Sequence, residues 1–262
     1  MAGGVALNCV ANGRIARESG LTGLFIQPAA GGALGAALLV SHQLLGALRR
    51  TVPQGDTLQG SCFGPAFAPH EVAAFLEREG APYERVEDAN QRAGMIADTL
   101  AEGKVVGLLS GRMEFGPRAR GVWSILGDAR RRDMRSTMNM RIKFRESFRP
   151  IAPAVLAEKS SEYFELAEPS PYMLLVAQLN KDGQIPMEAP VFAGDDMMPI
   201  LRQARSDVPA VAHVDYSAGV QTVTADNQPE LHRILRAFQA KTGCSLVINT
   251  SWRTDRPFTA GH

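Results

Sequence analysis

This chain predicts an α/β protein, on three observations. Short apolar runs of strand character alternate with segments of helical period along most of its length. Its 25 Gly and 16 Pro break those segments often enough for a loop-rich architecture. The 262 residues, 45% of them hydrophobic, suffice to bury one or two ordinary cores.

Taken in order, residues 5–9 read as a short strand or turn, and residues 33–49 as an apolar helix entered through the glycine-rich PAAGGALGAA. Residues 51–67 (TVPQGDTLQGSCFGPAF) carry Gly and Pro with little periodicity, which predicts a linker with a new unit after it. In that unit residues 69–79 and 87–101 carry a helical period. Residues 104–109 (KVVGLL) then form a buried strand that runs into a turn at 110–112. Further strands are expected at 124–126, 151–156, 172–179, 211–213, 220–223 and 245–249, the last preceded by a helix over 230–242 that starts just after Pro229. The chain carries no internal repeat.

Composition excludes several classes. No run of eighteen apolar residues exists, so no membrane span is expected. The apolar residues 1–10 lack a basic leader and a small-residue cleavage site, which leaves the cytoplasm as the expected compartment. Cys9, Cys62 and Cys244 are odd in number and widely spaced, as suits reduced thiols rather than a disulfide frame or a zinc site. Charge is distributed less evenly. From Arg130 to Arg149, eight cations (Arg130, Arg131, Arg132, Arg135, Arg141, Lys143, Arg145, Arg149) face only Asp133 and Glu146, a local +6 in a chain of net charge +1. That excess predicts an anionic ligand, and with the small-residue turn at its head the stretch 111–153 reads as a phosphate-handling site. Within it, the run Arg130, Arg131, Arg132 reads as a solvated face outside the site.

Six blocks then fall into a recognisable order: EFGPRA, SIL-D-R, MN-IK-RESFRP-AP, SPYMLLVA, HVDYSA-VQTV and VINTS. In order and spacing they resemble the NodU/CmcH carbamoyltransferases, the nodulation-factor enzymes above all, and the resemblance covers almost the whole chain. Residues 1–50 resemble the end of that family's N-terminal actin-like ATPase (Kae-like) lobe. Residues 51–68 correspond to a linker, and residues 69–262 resemble its YrdC-like domain, incomplete at the C-terminus. The resemblance implies an α+β fold, a YrdC-like twisted mixed sheet with flanking helices behind a remnant of the actin-like lobe.

It also implies a chemistry. Carbamoyl phosphate and ATP would give carbamoyl adenylate in the YrdC-like domain, and the carbamoyl group would pass to a hydroxyl of a sugar-type acceptor, such as a lipochitooligosaccharide nodulation factor, in the Kae-like lobe. By the same resemblance Arg118, Lys143, Arg149, Asn249 and Ser251 fall on substrate-binding positions, Lys143 and Arg149 with catalytic roles, and Thr250 shapes the same edge. Gly3, Gly4 and Asn8 resemble a nucleotide-contacting turn; a plain glycine turn between elements is the other reading of them. Such residue types suit the task, since planar Arg forks, a Lys point charge and small-residue turns bind dense anions and stabilise charge that grows in a transition state. Glu146 is a ready ion-pair partner for one of these cations, and His213 reads as a strand histidine with a satisfied hydrogen bond rather than a base.

Departures from the family pattern set limits. Gly31 to Gly35 lack the aspartate of the family's GDAGGALGAA, so the family's divalent metal is expected to be lost and no metal ligand is assigned. Arg120, Val122 and Trp123 replace Leu, Asn and Arg of the signature turn, Gly219 replaces an Arg, and Trp252 and Arg253 replace Phe and Asn. Two phosphate-facing cations are thereby missing, and the sheet is expected to keep an open edge. Most of the Kae-like half lies outside this sequence, which makes that half, acting in trans, the expected partner. Two other readings stay open: a YrdC-like module that binds RNA through the 130–149 cluster, against which the scarcity of aromatics there counts, and an inactive relict that self-associates.

Overall fold

The computed structural model describes residues 1–49, 57–187, 200–201 and 203–252. The first part of the expected linker (51–56), Arg253 and the chain end at His262 lie outside the described residues.

Seven strands make one mixed sheet. They are β1 (Val106–Leu109), β2 (Trp123–Gly127), β3 (Ala152–Leu156), β4 (Phe164–Glu165), β5 (Leu175–Leu179), β6 (Ser217–Val223) and β7 (Leu246–Ser251), in the spatial order β1-β2-β7-β3-β6-β5-β4. Among the described residues β3 and β6 pair parallel, and every other neighbour pair is antiparallel. The middle strands read as the sequence suggests for a sheet covered on both faces: all seven positions of β6 are buried, as are Leu246 to Asn249 of β7.

The helices supply the cover. α1 (Cys9–Glu18), α2 (Gly32–Leu39), α3 (Pro69–Arg78), α4 (Ala89–Ala101), two short turns α5 (Met134–Thr137) and α6 (Ser160–Tyr163), and α7 (Pro229–Thr242) follow in chain order. α4 and α7 pack against each other, α4 burying Ala93, Ala97 and Leu100 and α7 burying Leu231, Ile234, Leu235 and Phe238. Both sets follow the spacing of one helical face. Their ends are chemically marked: Asp88 caps α4 by accepting the Gln91 N–H at 2.6 Å, and α7 opens on Pro229 and is closed by Gly243 just after it, at φ 77°.

Two expectations change and one helix is added. Residues 5–9, expected as a short strand or turn, take the turn, Gly4–Leu7 making a 3-10 turn, and an unexpected helix, α1, follows, capped by Asn8, whose Oδ1 accepts the Ala11 N–H at 3.1 Å. Gly13 within α1 disguises the helix. It is there because a Cβ would stand 2.3 Å from the Val176 carbonyl oxygen, so α1 lies directly on the backbone of β5. Buried Asn12 stitches the same seam, donating to the Ala6 and Leu174 carbonyls at 2.8 and 3.0 Å. Residues 211–213 are a turn, not a strand; Val211 N–H reaches back to Val208, and β6 starts only after Tyr216, at φ 61°, has reversed the chain. The apolar helix expected over 33–49 is shorter, α2 passing into a π turn at Val40–Leu44, and neither buries a residue. At the sheet's margin, the Trp252 ring lies against Gly107 of β1, where a Cβ would meet it at 2.0 Å. No helix among the described residues is long and apolar enough to cross a membrane.

Candidate functional site

The GPRARG turn is built by one carboxylate. Glu114 Oε1 accepts the backbone N–H groups of Arg120, Val122 and Trp123 at 3.0, 2.9 and 3.2 Å, and so folds residues 114–123 back on themselves just before β2. Ser124 Oγ accepts the Gly121 N–H at 2.9 Å. Gly121 has φ 98°, and a Cβ there would stand 2.3 Å from Leu231 of α7, so the turn admits only glycine at that point.

The sheet holds the other side of the turn. Asn249 and Gln221 lie on one face of the sheet, two register positions apart on β7 and β6, with β3 between them. Asn249 Nδ2 donates to Gln221 Oε1 at 2.7 Å and to the Ala119 carbonyl at 3.3 Å, while Gln221 Nε2 donates to the Arg120 carbonyl at 2.9 Å. Asn249 is therefore a loop-holding residue in this structure. Two residues along β7, Ser251 receives the buried Lys143 ammonium, which reaches its carbonyl oxygen at 2.6 Å and its hydroxyl at 3.2 Å.

Arg118 meets the N-terminal segment. Its Nη2 donates to the Leu7 carbonyl at 3.1 Å, which ties the GPRARG turn to the segment that carries Gly3, Gly4 and Asn8. The Asn8 side chain is spent on capping α1. Gly3 has φ 88°, and a Cβ on Gly3 or Gly4 would meet nothing within 4 Å, so both backbones are open to approach. Arg149 stands apart from this chain of contacts: it is exposed and paired with Glu146 at 2.8 Å. Its carbonyl, held by Asn139 Nδ2 at 2.9 Å, leads into β3, where Ala152 pairs with Asn249.

The +6 stretch does not act as one patch. Asp128, just outside the window counted from sequence, takes Arg130 at 2.7 Å, Arg131 pairs with Asp133, and Arg149 with Glu146. Arg130 also stacks 5.2 Å from the Phe238 ring centroid. Sequence reasoning missed the carboxylate of Glu114, the amide of Gln221 and the position of Arg120, whose buried guanidinium lies 5.2 Å from the Tyr172 ring. EFGPRA and VQTV contained the first two; nothing in them says that the partners are backbone atoms. Gly219, where the family pattern has Arg, is buried on the same face as Gln221 with open space where a side chain would start. Beside the turn, burial pushes the Cys62 thiol above its ordinary pKa, and Arg120 pulls it back. Among the described residues no group of three or more His, Cys, Asp or Glu side chains is placed to hold a metal ion.

Comparison with known proteins bears on what this arrangement belongs to. Residues 97–260 match the family profile described as Carbamoyltransferase C-terminus, and residues 1–38 match Carbamoyltransferase N-terminus. An uncharacterized protein of Synechocystis is 48% identical over 259 residues, 96% of this chain and 41% of its own length. Nodulation protein NolO of Bradyrhizobium diazoefficiens is 33% identical over 262 residues, 97% of this chain and 43% of its own. The 3'-hydroxymethylcephem-O-carbamoyltransferase of Streptomyces clavuligerus is 35% identical over 156 residues, 60% of this chain and 25% of its own. The chain thus spans about two-fifths of the length of the first two relatives. With more than half of its residues inside one profile, and that profile's region holding both the GPRARG turn and the Lys143–Ser251 contact, the chain belongs to the carbamoyltransferase family.

Proposed function

We propose that this chain is the donor-handling portion of an ATP-dependent carbamoyltransferase, which moves a carbamoyl group from carbamoyl phosphate, by way of carbamoyl adenylate, to a hydroxyl of a sugar-type acceptor. The observation that carries the reading is the Lys143 ammonium, buried against Ser251 at the end of β7 and beside a turn whose backbone is fixed from two sides. A fixed, water-poor cation is suited to a phosphate or carbamoyl oxygen whose charge grows during transfer.

In this reading Lys143 and Arg149 are the catalytic cations, and Arg149 exchanges Glu146 for the substrate anion. Arg118 and Ser251 contact carbamoyl phosphate, and Asn249 acts by holding the turn. ATP lies against the open backbone of Gly3 and Gly4, and Asn8 serves it by starting α1 at the right place. Water releases phosphate from carbamoyl phosphate, the resulting carbamate oxygen attacks the α-phosphorus of ATP, and pyrophosphate leaves. The acceptor hydroxyl then attacks the carbamoyl carbon, its proton passing to solvent, the bond from that carbon to the adenylate oxygen breaks, and AMP leaves. Acceptor binding falls to the part of the relatives' length that this chain does not span. The compartment proposed is the cytoplasm.

Isothermal titration of carbamoyl phosphate into wild type and an Arg118→Ala, Lys143→Ala double variant tests the donor site. Saturable heat in wild type that vanishes in the folded variant is expected. No heat in folded wild type would overturn the reading.

A further inference from the structure

A second cleft shares no residue with that site. It measures about 360 Å³ and is walled by Arg132, Arg135 and Ser136 around α5, by Met140 and Phe148, and by Gln203 across from them. That volume is at the small-ligand end of binding pockets.

Its cations are not balanced. Arg135 is half-buried, and its guanidinium is held by two backbone carbonyls, Ala212 at 3.3 Å and Leu201 at 2.8 Å. Near it Arg205, almost wholly buried, rests on the Gln203 and Ile200 carbonyls and on Met187 Sδ. Among the described residues neither guanidinium meets a carboxylate, and Arg132 makes no hydrogen bond or ion pair at all. Asp133 also lines the cleft, but its carboxylate is taken up by Arg131 at 3.3 Å. Burial holds the pKa of Arg135 below its ordinary value, the charge of Arg205 adds to that, and burial lowers Arg205 likewise. Two desolvated like charges with only carbonyl and thioether partners are a standing electrostatic cost, which an anion in the cleft would offset. Met140 and Phe148, 53% and 47% exposed, give the same cleft an apolar rim.

We propose that this cleft is a second anion site that takes a small phosphorylated molecule, with its phosphate on Arg132 and the open edge of Arg135 and its apolar part on Phe148 and Met140. The inference stands independently of the carbamoyl reading, since it uses none of that site's residues.

The test is titration of phenyl phosphate and, separately, inorganic phosphate into the full chain. Wild type and the Arg118→Ala, Lys143→Ala variant should both bind phenyl phosphate. Arg132→Ser, a surface change checked for folding by its melting curve, should weaken both ligands at least about tenfold, the scale of one lost charge-assisted contact. Phe148→Ser should weaken phenyl phosphate and leave inorganic phosphate unchanged. Binding that survives Arg132→Ser, or is lost only in the double variant, overturns the proposal. So does a short RNA that displaces phenyl phosphate at lower concentration, which would make the cleft part of a nucleic-acid surface.

Discussion

His213 shows how one residue's setting fixes a measurable property. Its Nδ1 stands 3.0 Å from Ser217 Oγ, and that hydroxyl donates to Asp215 Oδ1 at 2.6 Å, so the ring nitrogen is the donor toward Ser217. Burial holds its pKa below the ordinary histidine value, only partly countered by Asp215. A histidine that binds its proton less well when folded contributes full stability above the unfolded value near 6.5, and loses it as pH falls through that value toward the lower folded one. Stability measured by urea unfolding should therefore decline as pH falls below about 6.5, with a component of at most about 1.4 kcal/mol per pH unit, one proton's worth. His213→Gln should remove that component; an identical decline in the variant would show that other groups cause it. The site's residues were read unevenly from sequence. Lys143 and Ser251 proved to touch, because MN-IK and VINTS are motifs whose meaning is a side-chain type. Glu114 and Gln221 escaped, because their partners are backbone N–H and C=O groups that no sequence spells out.

Elements were legible wherever burial follows a period. α4 and α7 repeat apolar residues on one face, and β1, β3, β5, β6 and β7 are short apolar runs bounded by turns, so each was expected within a few residues. α1 was not, since its buried residues are Asn12 and Gly13, and a contact made by removing a side chain leaves no hydrophobic signal. The consequence is testable. Gly13→Ala would place a methyl 2.3 Å from the Val176 carbonyl oxygen and force α1 off β5, at about 1–3 kcal/mol, typical of an overpacked contact. Its urea midpoint should fall by that amount, while Arg14→Ala, on the exposed side of the same helix, should leave the midpoint unchanged. Equal behaviour of the two would mean that α1 does not bear on the sheet.

At the scale of the whole molecule, burial divides the chain in two. Among the described residues the main core cluster runs from Ala93 to Ile248 and draws none from the first ninety-two positions. The exposed large apolar residues gather instead near the N-terminus, with Val5, Phe25, Leu39, Leu44, Leu45 and Leu48 all more than half exposed. α1 ties that region to β5, but α2 and the π turn after it bury nothing, so they contribute apolar surface without contributing to the core. Deleting residues 32–48 should therefore leave the melting midpoint within about 2 °C of wild type, the shift expected from less than 1 kcal/mol in a chain of this size. The same deletion should make the sedimentation coefficient independent of concentration where wild type self-associates. A midpoint that drops as far as that of Gly13→Ala would mean that α2 packs on the core after all. A stable deletion variant that keeps its phosphate heats would instead place the apolar stretch outside the donor site, as surface held for the rest of the carbamoyltransferase length.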